Sequence, residues 1–178
     1  MHRLCAGIDV GLSSAAAAVY GYANGRNIPR LIATTDIRTL GEKAAKRIDV
    51  LWLRDWLVRT GATVAYVERG SARSMQGAMS NYLRACGQIE ATVTLAGLHG
   101  VLVPPGVWQR AIGLTDRRRG CATDLERDKA SVVLARELFP EHADSTFKFW
   151  NSHNEAEASE IALYGAIRTE LVSLRIAA

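Results

Sequence analysis

Thiols are scarce and scattered in this chain. Its three cysteines, Cys5, Cys86 and Cys121, form no CxxC pair and cannot all be bonded to one another, which argues against the disulfide framework of a small secreted domain. Cys5 and Cys86 sit in apolar runs and read as packed thiols. The four histidines and the cysteines show no ligand spacing, so zinc is not expected. No apolar run approaches the roughly 20 residues that span a bilayer, so no membrane partner is expected. Met1-His2-Arg3 leads directly into strand-like sequence without a signal peptide's long apolar core or cleavage site, and an intracellular protein is expected. Internal repeats, low-complexity tracts and linkers are also missing. The 178 residues are therefore expected to form one domain, 1–178, long enough to bury a substantial core.

What is present is an ordinary globular composition, with 48% hydrophobic and 22% charged residues, which excludes disorder. The net charge of +4 is mild, but its distribution is informative. Arg117-Arg118-Arg119 is a tight run, and Arg69, Arg73 and Arg84 closely follow Glu68. The acidic residues stand out by position. Asp9 ends the apolar run Leu4-Cys5-Ala6-Gly7-Ile8, Glu68 ends Val64-Ala65-Tyr66-Val67, and Glu157 opens a C-terminal helical stretch. Carboxylates gathered from distant parts of a chain repel one another unless a positive group lies between them, and a divalent cation is the usual solution. A basic surface around such a centre suits a polyanion.

Periodicity and turn signals predict the order of elements. Residues 3–10 read as a buried strand, 14–22 as a second and 29–35 as a third, with Asn24-Gly25 as the hairpin signal between the last two. The alanines of 14–22 favour a helix by propensity, but Gly11 and the turn outweigh them. A helix is expected over 42–59, with Ala45, Ile48, Leu51, Trp52, Trp56 and Leu57 on its apolar face and Gly61 closing it. Strand 63–68, a long helix over 75–97, a short strand over 100–103 and a helix over 106–112 follow. Residues 113–122 read as a basic loop, and 123–138 as a helix with Thr123 and Glu126 at capping-box spacing. Phe139-Pro140 stops that helix, and the last one is expected over about 154–173. A strand–helix–strand order implies a crossover to a parallel position. The predicted class is thus α/β: a mixed central sheet, three antiparallel strands and then parallel ones, flanked by helices. This is the order of the ribonuclease H-like fold, in which the ends of the first and fourth strands are neighbours.

Several blocks carry a family resemblance. Gly7-Ile8-Asp9-Val10-Gly11, Val67-Glu68-Arg69 with Gln76-Gly77-Ala78-Met79-Ser80, and Pro104-x-x-x-Trp108 come first. Asp128-Lys129 with Leu138-Phe139-Pro140, and Ala156-Glu157-Ala158-x-x-Ile161-Ala162-Leu163-Tyr164-Gly165, complete them. In this order the chain resembles the RuvC-type Holliday junction resolvases, and most of all the compact RuvC-like nucleases of phages and prophages. The resemblance implies a homodimeric endodeoxyribonuclease that cuts branched DNA by two-metal hydrolysis, with Mg²⁺ (or Mn²⁺) ions roughly 3.5–4 Å apart. It implies metal binding by Asp9, Glu68 and Glu157, and a cytoplasmic, nucleoid-associated setting in a bacterium or phage-infected cell. RuvC proteins carry a further acidic residue where Asn154 stands here, so His153, Asn154 and Glu160 remain candidates for the fourth ligand. Glu160 lies three residues after Glu157, on much the same helical face. Arg69, Arg73, Arg117, Arg118 and Arg119 are expected to contact DNA phosphates, and Lys129 to neutralise the attacked phosphate. The Ala- and Gly-rich helix 75–97 is expected at the dimer interface. A junction-binding protein of the same fold with weakened cleavage is the alternative, motivated by Asn154 and by Glu in place of Asp at 157. A kinase-like nucleotide module, suggested by Ser13-Ser14 after the first block, is opposed by a length that allows only one of the two lobes such kinases need.

Overall fold

The computed structural model describes residues 4–11, 15–22, 29–42, 46–70 and 79–169. Strands β1 (Leu4–Asp9), β2 (Ala16–Gly21) and β3 (Arg30–Asp36) pair antiparallel, and β6 (Val64–Glu68) and β7 (His99–Val103) extend the sheet parallel to β1. The five-stranded order is β3-β2-β1-β6-β7, with β1 at the centre. Mixed sheet and flanking helices are as the sequence predicts. So is the strand at 16–21, whose alanines are all buried: packing on both faces outweighs their helical propensity. Asn24-Gly25 lies outside the described residues, as do Ser13-Ser14, Arg73 and Gln76-Gly77-Ala78.

The stretch before the first helix departs from expectation. Thr39–Leu40 (β4) and Arg47–Ile48 (β5) pair as a small antiparallel ribbon, and helix α1 starts only at Val50 and runs to Thr60. Asp49 explains the late start, because its carboxylate caps the helix by accepting from the Trp52 amide at 3.1 Å. Ile48 fits helical spacing but is a strand residue. Leu51, expected on the apolar face, is exposed, whereas Leu53 and Leu57 are buried. Gly61 closes α1 in the left-handed conformation at φ 72°. Helix α2 spans Met79–Leu95. After β7, Pro104-Pro105 starts α3 (Pro105–Ala111), with proline in the first turn, where a missing amide costs nothing. The expected basic loop contains a helical turn, α4 (Leu114–Arg117), anchored by the buried Leu114. Helix α5 (Asp124–Leu138) opens with the predicted reciprocal box: Thr123 accepts from the Glu126 amide at 3.2 Å, and Glu126 accepts from the Thr123 amide at 3.0 Å. Helix α6 runs from His153 to Arg168.

Strand parity divides the core. Leu4, Ala6 and Ile8 of β1, with Ala65 and Val67 of β6, pack with Leu53, Leu57, Ile89 and Val93 of α1 and α2. Cys5, Val64 and Tyr66 face the other way, toward Trp108, Leu134 and Ile161. Small residues let α6 approach closely on that second side, where Ala158 and Ala162 lie over β1. Asp9 and Glu68 have the parity of Cys5 and Tyr66, so both carboxylates point to the face covered by α6.

Candidate active site

The register joins the first two carboxylates. Ile8 pairs with Val67 across the parallel β1–β6 ladder, so Asp9 and Glu68 are consecutive neighbours at the C-terminal ends of adjacent strands. Helix α6 crosses this edge and adds Glu157. One carboxylate oxygen from each of Asp9, Glu68 and Glu157 lies within 4.8 Å of the others. Asp9 is only 6% exposed and Glu68 is half-buried.

Each carboxylate has a different support. Trp108 is fully buried on α3, and its indole N–H donates to Glu68 Oε2 at 2.7 Å. Glu157 Oε1 accepts from the Ser131 hydroxyl at 3.0 Å and is ion-paired to Arg118. Arg118 also donates to Ser131 Oγ at 2.6 Å and to the Arg127 carbonyl at 3.3 Å. Burial raises the Asp9 carboxyl well above the usual carboxylate range; Glu157 and Glu68 add to this, while Arg118 opposes it. Glu68 is pushed up to about 7, by burial and then by Glu157, with the Trp108 hydrogen bond and Arg118 acting in the other direction. Trp108→Phe should therefore move the Glu68 titration further up from about 7, read by carboxyl-carbon NMR. An unchanged titration would mean that the indole does not hold Glu68 in solution.

The remaining candidates are dispersed. Glu160 is 0% exposed, and neither of its oxygens has a hydrogen-bond partner among the described residues. Burial, then Glu157, raises its carboxyl well above the ordinary value, and it is not among the three converging residues. His153 opens α6 with Nε2 4.0 Å from Asp128 Oδ2. Asn154 is half-buried beside it. Lys129 is exposed on α5, one position from the face that carries Asp128 and Ser131. Arg69 is exposed next to Glu68, in a hollow shared with Gly70 and Tyr82. Tyr82 is buried and its hydroxyl accepts from the Gly70 amide at 2.6 Å. The three-arginine run divides: Arg117 forks onto Glu137, Arg118 turns inward to Glu157, and Arg119 points outward with Asp116 at 2.8 Å.

Four contributions to the site are not legible as such in the sequence. Ser131 and the inward turn of Arg118 left no signal, because both depend on how α4 and α5 meet α6. Asp128, whose charge is felt at Asp9, stands beside Lys129 in the same sequence block. Trp108 was legible as a motif residue but not as the partner of Glu68.

Solved structures share this fold. RuvC from T. thermophilus in complex with a Holliday junction substrate superposes with a TM-score of 0.64 at 20% identity, over 96% of both chains. The fold is that of the ribonuclease H-like resolvases. The fowlpox virus Holliday junction resolvase matches with a TM-score of 0.55 at 16% identity, over 93% of this chain and 99% of that one. No protein-family model and no curated protein sequence matches the chain. Among the described residues no helix is long and apolar enough to cross a membrane.

The donor set fits a hard divalent cation. Three carboxylates converge among the described residues, and Arg118 is ion-paired with one of the three, Glu157. Such oxygen-only clusters suit magnesium or manganese rather than zinc.

Proposed function

We propose that this protein is a structure-selective endodeoxyribonuclease that resolves four-way DNA junctions as a homodimer. The observation that carries this reading is the convergence of Asp9, Glu68 and Glu157 at one edge of a resolvase-like sheet. Asp9, Glu68 and Glu157 would hold Mg²⁺ or Mn²⁺, two ions per site, with His153, Asn154, Asp128 or Glu160 completing the set. Bound there, the metal supplies Lewis-acid stabilisation of the phosphoryl oxygens and a nucleophilic water. The protein's own contribution is positional. Trp108 fixes the Glu68 carboxylate, and Ser131 orients Glu157. Asp9 sits on the central strand, next to Glu68, and would supply a carboxylate oxygen to the metal from there. Arg69, Arg73, Arg117, Arg119 and Lys129 would bind backbone phosphates and position the strands rather than read bases. Opposed cuts in a two-fold junction need two sites related by symmetry, and α2 is the proposed contact between the two copies.

The test is an end-labelled four-way junction incubated with Mg²⁺ or Mn²⁺. Paired, symmetric nicks support the enzyme. A second reading, junction binding with weakened cleavage, is favoured by Asn154 and by the arginine on Glu157; tight binding without any cut would select it.

A pH dependence of stability follows from the same carboxylates. In the folded state Asp9 and Glu68 hold protons that the unfolded chain releases near the ordinary values of 3.8 for aspartate and 4.5 for glutamate. The native state thus binds more protons across that window, and unfolding free energy falls as pH rises from about 4.5 through about 7. Thermal melts in EDTA should lose stability over this range, and millimolar Mg²⁺ at pH 8 should restore it. A flat profile in EDTA with no response to Mg²⁺ would contradict the metal reading.

A further inference from the structure

Arg118 belongs to two environments at once. On one side it is ion-paired to Glu157 within the carboxylate cluster, with side-chain exposures of only 17% and 14%. On the other it lines an open hollow of about 470 Å³ with Gln109, Thr115, Arg119 and Arg127. Among the described residues no carboxylate lines that hollow. Its chemistry, three guanidinium groups with a neutral amide and a hydroxyl, suits a singly or doubly charged oxyanion. Among the described residues the outer two arginines form exposed local pairs, Arg119 to Asp116 at 2.8 Å and Arg127 to Asp124 at 3.2 Å. Exposed pairs of this kind are weak and exchange readily. Among the described residues, Arg118 is the one that both lines the hollow and pairs with the carboxylate cluster.

We propose that the hollow is a DNA phosphodiester site and that Arg118 exchanges between Glu157 and that phosphate, coupling substrate binding to metal binding. This rests on the reading of the carboxylates as a metal site. Without metal, Arg118 is the internal counter-ion that partly relieves repulsion among Asp9, Glu68 and Glu157. A divalent cation on Glu157 removes the need for that counter-ion and repels it. The guanidinium then turns to the hollow, where a phosphate is its partner. Conversely, a phosphate in the hollow withdraws Arg118 and leaves Glu157 free to ligate. Each ligand thereby raises the affinity for the other, and the two effects must be equal in size.

The experiment uses the full chain and Ca²⁺ as the metal probe, with gels run in parallel to confirm that the DNA stays intact. Calorimetry gives Ca²⁺ affinity without DNA, and anisotropy of a fluorescent four-way junction gives DNA affinity in EDTA and in Ca²⁺. In the unaltered protein, Ca²⁺ should tighten junction binding at least about five-fold. Arg118→Met should bind Ca²⁺ about five-fold more tightly without DNA, because the competing cation is gone, and the coupling should shrink below about two-fold. Ser131→Ala, which loosens the same clamp without removing a charge, should shift Ca²⁺ affinity in the same direction by less; it guards against misfolding of the first variant. Arg119→Ala should weaken junction binding while leaving DNA-free Ca²⁺ affinity unchanged. Equal Ca²⁺ affinity in Arg118→Met and the unaltered protein, or coupling that survives the substitution, overturns the exchange alone. No Ca²⁺ or Mn²⁺ binding by any variant overturns the metal reading as well.

Discussion

Asp9→Asn should abolish junction cleavage while making the metal-free protein more stable. Asp9 is nearly enclosed, and the largest influence on its carboxyl is burial, followed by repulsion from Glu157 and Glu68. Asparagine keeps the shape and removes the charge. The loss expected in the cleavage rate is on the order of a thousand-fold, equivalent to about 4 kcal/mol of barrier. The same substitution relieves a buried, crowded anion, so the melting temperature at pH 8 in EDTA should rise. Such opposition between function and stability is characteristic of residues retained for chemistry. Junction affinity in EDTA should change little, because Asp9 is not a phosphate contact. Three measurements check this: end-labelled cleavage, thermal melts, and fluorescence anisotropy. Cleavage within ten-fold of the unaltered protein would remove Asp9 from the reaction. A lower melting temperature would mean that the carboxylate is structural.

Gly7→Ala should unfold the site from beneath. A Cβ at Gly7 would overlap the backbone of Ala158 and Ala162 in α6, with the Ala162 Cα only 2.8 Å away. Backbone atoms cannot rotate aside, so the helix must lift from β1. Overpacking ordinarily costs about 1–3 kcal/mol, and a collision with helix backbone belongs at or above the upper end of that range. The functional consequence is specific, because α6 carries Glu157 and β1 carries Asp9, two residues after Gly7. Moving the helix away parts the two carboxylates. Gly7→Ala should therefore lower the melting temperature steeply and, in whatever fraction remains folded, weaken metal binding. Thermal melts with and without Mg²⁺ would show both effects. A variant with unchanged stability would mean that α6 does not sit so close to β1. Glycine in the Gly7-Ile8-Asp9 block is thus explained by packing rather than by backbone conformation.

Much of this was legible in the chain. Apolar runs ending in a single carboxylate marked β1 and β6. Thr123 with Glu126 marked the start of α5, and Gly61 the end of α1. These signals are local, because caps and strand ends satisfy backbone groups within a few residues. The helix expected over 42–59 starts only at Val50, again for a local reason. Ile48 and Leu51 fit a helical period, but the Asp49 cap sets the boundary, and a two-residue ribbon precedes it. Arg117, Arg118 and Arg119 were indistinguishable as sequence, yet they have three different partners.

The sequence alone determined which strands would be central, which residues would stand at their ends, and that three carboxylates from distant segments were candidates for one site. Residue period and turn chemistry place the strands and the residues at their ends, and the strand order shared with the ribonuclease H-like fold puts the first and fourth side by side. Only the tertiary structure decided how that site is supported. It put Trp108 on Glu68 and the Arg118–Ser131 clamp on Glu157, and it buried Glu160 without a hydrogen-bond partner among the described residues. The reason is physical. A strand's period says which face a side chain takes, but the counter-ion of a buried charge comes from whichever helix packs against it. Here those helices are separated from the strands by tens of residues, and their approach is set by the small residues between β1 and α6.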